Sequence, residues 1–65
     1  MQLTVNGQRR EVAAATLAQA LVELGYREAH VATARNGVFV PVGQRAAQTL
    51  AEGDALEILA PMQGG

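Results

Sequence analysis

The sequence predicts an α+β domain: a mixed sheet of about five short strands with one main helix across one face. Three observations predict it. Two Asn-Gly dipeptides, Asn6-Gly7 and Asn36-Gly37, each sit between strand-like runs, and this is a strong hairpin signal because both turn positions tolerate φ > 0. Between the hairpins, Leu17, Ala20, Leu21 and Leu24 fall at the i, i+3, i+4, i+7 spacing of a helix with one apolar stripe. Near the end, Ala55 to Leu59 alternates again, with Leu56 and Ile58 on one face and Glu57 on the other.

In chain order, Leu3 and Val5 alternate with Gln2 and Thr4 before the first turn, so a hairpin is expected over about residues 2–13. Its second strand, Gln8 to Ala13, is polar except for Val12. Arg9, Arg10 and Glu11 mark it as an edge, since charges there discourage pairing with other chains. Thr16-x-x-Gln19 fits a capping box that opens the helix. Gly25 follows the last periodic residue as an αL terminator, and Tyr26 stands where a contact back onto the last turn belongs.

The second hairpin runs from Val31 to Arg35, turns at Asn36-Gly37, and returns through Val38-Phe39-Val40 to Pro41, which ends the strand or places it at an edge. Residues 43–49 have room for one irregular or helical turn, after which Leu50 enters the core. Ala51 to Asp54 reads as a turn. Leu3, Val5, Leu17, Leu21, Leu24, Leu56 and Ile58 then converge on one helix-on-sheet core. Hairpin, helix, hairpin, turn and strand, in that order, describe the ubiquitin-like β-grasp.

Composition narrows the function. A chain of 65 residues buries roughly 60% of its unfolded surface, which leaves little room for a cavity lined with catalytic groups. With 49% hydrophobic and 17% charged residues it has enough apolar material to fold. There is no cysteine, so no disulfide staples the domain and no thiol can attack a substrate or carry sulfur. A net charge of −1, no basic run, and only Tyr26 and Phe39 as aromatics argue against nucleic-acid binding. The opening residues, Met1 to Asn6, alternate and then turn, unlike a signal peptide or membrane span, and the expected location is the cytoplasm. His30, the sole histidine, has no carboxylate or hydroxyl spaced to orient it and reads as a surface or strand-start residue. Glu52 and Asp54 are too few to hold calcium and more naturally serve their turn. No metal site is expected.

The residues after the last strand carry the chemical interest. Two units are expected: a folded domain over 1–59 and a flexible tail over 60–65, Ala60-Pro61-Met62-Gln63-Gly64-Gly65. Pro61 cannot donate to a sheet ladder, so pairing should stop there. Six extended residues reach on the order of 20 Å, enough for Pro61, Met62 and Gln63 to thread into a partner's channel. Gly64 and Gly65 have no Cβ to clash with its walls. The carboxylate of Gly65 is then the group presented. Activation by ATP would make an acyl-adenylate, and displacement of the adenylate by sulfur from a partner's persulfide would lead to a thiocarboxylate. A Gly-Gly end alone is a weak signal, since glycine-rich termini are often only frayed ends.

The whole chain resembles the sulfur carriers of thiamine biosynthesis, the ThiS-like family. The resemblance runs through Val5-Asn6-Gly7, Thr16-Leu17, Leu24-Gly25, Asn36 to Pro41, Leu50 to Ile58 and the terminal Met62-Gln63-Gly64-Gly65. Arg35, where an aliphatic residue is usual, and Val38, where a polar one is usual, depart from the pattern. The resemblance implies a carrier that is not itself an enzyme. It would be adenylated at Gly65 by an E1-like enzyme, thiolated there from a persulfide donor of cysteine-desulfurase or rhodanese type, and would give its sulfur to thiazole synthase. ATP and Mg²⁺ would be used by the adenylating partner, with no cofactor bound to this chain, which would be a monomer when free. Val38, Val40 and Leu59 are a candidate docking patch, with packing against the 42–49 loop as the alternative for Leu59. Two other readings stay open: a carrier or protein modifier of another pathway, such as the small subunit of molybdopterin synthase, and a non-catalytic β-grasp interaction domain.

Overall fold

A computed structural model describes residues 1–27 and 30–60. Both Asn-Gly turns form where the sequence places them. Asn6 and Gly7 have φ of 51° and 83°, and Asn36 and Gly37 have 50° and 84°, so both central residues lie at the positive φ that type I′ hairpins require. The first turn joins β1 (Gln2–Val5) to β2 (Gln8–Glu11), and the second joins β3 (Ala32–Arg35) to β4 (Val38–Val40). The remaining elements are the helix α1 (Leu17–Glu23), a 3₁₀ turn at Val42–Gln44 and β5 (Ala55–Leu59).

The strands form one sheet in the order β2-β1-β5-β3-β4. β1 and β5 are parallel and the other pairs antiparallel. This is the mixed β-grasp sheet expected, with α1 across one face. β2 is an edge strand, all of it exposed. It ends two residues earlier than the sequence suggests, at Glu11, and Val12 turns into the core.

Both ends of α1 use the predicted chemistry. At the start, Thr16 and Gln19 form the capping box. The amides of Leu17 and Ala18 also donate, to the carbonyls of Gln48 (2.9 Å) and Arg45 (3.1 Å). The loop after β4 therefore satisfies donors that a helix N-terminus otherwise leaves open. At the other end Gly25 has φ of 88°. The Gly25 amide donates to Val22 O and the Tyr26 amide to Leu21 O, which together make a Schellman motif.

The core contains Leu3, Val5, Leu17, Leu21, Leu56 and Ile58 as expected, and Leu50 drops into it. Leu24, near the helix end, is only half-buried against it, while Val12, Ala14, Ala20 and Val40 complete it.

One buried group was not foreseen. Arg45, in the loop after β4, is only 1% exposed. Its Nε donates to Thr33 Oγ1 (3.0 Å) and an Nη donates to Val31 O (2.6 Å), while the Thr33 hydroxyl donates to Val40 O (2.9 Å). The guanidinium thus holds the β3 side of the sheet while the Arg45 carbonyl holds the helix N-terminus, and the planar fork suits this because its donors point in fixed directions.

Candidate functional site

The strand register decides which side chains share a face. Thr33 lies between Val40 and Ile58 on the helix side, and Ala34 lies between Phe39 and Glu57 on the opposite side. Leu59, paired with Ala32, also lies on that helix-free side. Phe39 is 65% exposed and Leu59 66%. With Ala32, Ala34 and Glu57 they border a shallow hollow of ≈ 90 Å³. It is well below the roughly 300 Å³ at which cofactor-sized sites begin, so this face suits contact with a protein surface better than capture of a small molecule.

The candidate docking patch is therefore corrected. Val40 is 4% exposed, because the pleat turns it into the core beside Thr33, and it cannot meet a partner. Val38 is exposed, but it pairs with Arg35 on the helix side of the sheet and does not share a face with Leu59. Of the two readings for Leu59, the structure shows the exposed one. Phe39, which sequence reasoning left out of the patch, is its large apolar member. An uninterrupted apolar run such as Val38-Phe39-Val40 shows no alternation from which to choose the buried members; only pairing with Thr33 does that.

β5 brings the chain to the edge of this face, where Ala60 is the last described residue. Pro61, Met62, Gln63, Gly64 and Gly65, the proposed tail and its reactive end, lie outside the described residues.

At the other end of β5, the carboxylate of Asp54 ties its own turn to the second hairpin. Its Oδ2 accepts from Arg35 Nε (2.7 Å) and from the Ala51 amide (2.8 Å), and its Oδ1 accepts from Asn36 Nδ2 (3.1 Å). Arg35, the charged departure from an aliphatic strand position, is thus paired across the sheet. Asp54 serves its turn as the sequence suggested, and also anchors the second hairpin. Burial pushes its carboxyl pKa up, but the donors from Ala51, Arg35 and Asn36 outweigh burial and hold it below the ordinary value. A carboxylate with a depressed folded-state pKa contributes stability that is fully present above the unfolded value, about 3.9, and is lost as pH falls through the lower folded value. Asp54→Asn should therefore lower the urea midpoint at neutral pH, and the difference from wild type should shrink as pH falls below that value. A difference constant down to full acid unfolding would contradict this role.

His30 is exposed, as the sequence implied. Among the described residues, no helix is long and apolar enough to cross a membrane.

Comparison with known proteins gives this geometry a family. The ThiS family model matches residues 3–65. The crystal structure of a thiamine biosynthesis protein (ThiS) from Geobacter metallireducens superposes with a TM-score of 0.82 at 33% identity, covering 100% of both chains. An NMR solution structure of a thiamine biosynthesis protein from the same organism gives 0.81 at 35% identity, covering 100% of this chain and 88% of that one. A thiazole synthase from Paramagnetospirillum magneticum is 39% identical over 66 residues, spanning 100% of this chain but only 20% of the synthase. The chain thus spans about a fifth of the length of that relative. The family model over residues 3–65 and the two superposed structures agree: the chain belongs to the ThiS family.

Proposed function

We propose that this chain is a sulfur carrier for thiazole formation in thiamine biosynthesis, a protein cosubstrate acted on by other enzymes. The observation that carries the reading is the family match that runs through the helix-on-sheet body to Gly65. An E1-like enzyme binding ATP and Mg²⁺ would adenylate the Gly65 carboxylate with release of pyrophosphate. A persulfide sulfur, from a donor of cysteine-desulfurase or rhodanese type, would attack the Gly65 carbonyl carbon and expel AMP. Reduction of the resulting acyl disulfide by a thiol would leave the thiocarboxylate. Transfer of that sulfur by thiazole synthase would regenerate the carboxylate. The similarity of this whole chain to one segment of a thiazole synthase supports a working association between the two activities.

The apolar helix-free face is the docking surface in this reading, with Phe39 and Leu59 as its anchors, and the tail of residues 60–65 enters the active site beside it. Gly64 lets the backbone pass a narrow channel, and Pro61, Met62 and Gln63 span the distance. Phe39→Ala should raise the KM for adenylation by about 30-fold, the effect of losing one interfacial hot spot. Because the ring is exposed, stability should change by no more than about 0.5 kcal/mol. An unchanged KM would remove Phe39 from the interface.

The reading as a whole is tested by incubating the chain with an adenylating enzyme of the family, ATP, a persulfide donor and a thiol, then measuring intact mass. Exchange of one oxygen for sulfur, dependent on ATP, is the expected result. A mass unchanged under conditions that load an authentic carrier would refute it.

A further inference from the structure

Each Asn-Gly turn does more than reverse the chain: its asparagine holds β5, one at each end. At the start of β5, the Ala55 backbone N–H donates to Asn36 Oδ1 (2.9 Å), and the Asn36 backbone N–H donates to Ala55 O (2.7 Å). At the far end, the Ile58 amide donates to Asn6 Oδ1 (2.8 Å), and Asn6 Nδ2 donates to Ile58 O (3.0 Å). β1 ends at Val5, and the Asn6 backbone makes its last contact with β5 at Leu56 O (2.9 Å). The Asn6 side chain therefore acts as one extra ladder residue. It takes up both backbone polar groups of Ile58 after the neighbouring strand has turned away, groups that would otherwise need another partner. Leu59 follows, held from the other side by its pairing with Ala32, and then Ala60.

We propose that Asn6 is a positioning residue for delivery of the Gly65 carboxylate. The proposal rests on the carrier reading above. Its amide clamp fixes where the sheet stops and the tail begins, and so sets how much chain lies between the docked face and the reacting carboxyl. Without the clamp the end of β5 frays, the tether lengthens, and the carboxylate is held less often at the attacking distance from ATP. The docking face keeps Phe39 on β4, while Leu59 shares in the fraying of β5, so binding of the body weakens by less than turnover falls.

Asn6→Gly and Asn36→Gly form a matched pair, since glycine adopts positive φ without strain and each variant removes one side-chain clamp from the same strand. Two readouts separate the roles. In hydrogen exchange, Asn6→Gly should speed the Ile58 amide by about tenfold or more while Asn36→Gly leaves that amide protected, because local opening reports the loss of local bonds. In adenylation, Asn6→Gly should lower kcat by about tenfold and raise KM by clearly less than that, since Phe39 still docks, the signature of a misplaced reacting group. Asn36→Gly should keep the wild-type kcat at temperatures where both variants are folded. Equal kcat losses in the two variants, or wild-type turnover by Asn6→Gly despite a faster-exchanging Ile58 amide, would overturn the positioning role. So would unchanged exchange at Ile58. A wild-type chain that no family adenylating enzyme accepts would overturn the carrier reading and this proposal together, an outcome distinct from failure of the clamp alone.

Discussion

Replacing Leu21 by alanine should destabilise the domain by about 2–5 kcal/mol, the range for emptying a fully buried leucine site. Leu21 has no exposed surface and sits where the apolar stripe of α1 meets the sheet, in contact with a core that includes Leu3, Val5, Leu56 and Ile58. A domain of this size has a total stability near the low end of the usual ~5–15 kcal/mol, so much of the population should be unfolded in little or no urea. The neighbouring residue supplies the control. Val22 is exposed on the outer side of the same helix, and Val22→Ala should move the stability by no more than about 0.5 kcal/mol. Urea titration followed by circular dichroism measures both. Equal midpoints for Leu21→Ala and wild type would mean that the helix does not seal this core.

The helix, its caps and both hairpins were legible in the sequence because each is specified by residues close together in the chain. Thr16 and Gln19 declare the capping box, Gly25 and Tyr26 declare the Schellman stop, and Asn-Gly declares the type I′ turn. The features that could not be read depend on contacts between distant segments. Nothing near Arg45 announces that its guanidinium will reach Val31 and Thr33, so the arginine read only as part of the irregular or helical turn over residues 43–49. Asp54 was legible as a turn residue, but its pairing with Arg35 crosses from one strand connection to another strand. The docking patch failed for a different reason. Val38, Phe39 and Val40 are all apolar, and their faces are fixed only by register against Thr33, Ala34 and Arg35. That register buries Val40 and leaves Phe39 beside Leu59.

The second large effect is expected at the end of the chain. Deleting Gly65, or adding one residue after it, should abolish sulfur loading while leaving the urea midpoint unchanged. Among the described residues, those that make the core all precede Ala60, so both variants are expected to keep that packing. In the proposed carrier reading, both would displace the carboxylate from the point at which the adenylating enzyme presents ATP, and misplacement of about 1 Å can already cost about 100-fold in rate. Gly65→Ala separates geometry from chemistry. It keeps the carboxylate in register and adds only a Cβ, so it should load slowly where the deletion does not load at all. A Gly65-deleted chain that loads at the wild-type rate would show that the reactive group lies elsewhere.

The central claim is that the transferable sulfur resides on the carboxyl carbon of Gly65 and on no side chain. Fragment-resolved mass spectrometry of the loaded chain tests it most directly. The account predicts that the oxygen-for-sulfur mass change is confined to fragments containing Gly65 and disappears when the sulfur is passed on. Sulfur found on any fragment ending before Gly65 would contradict it.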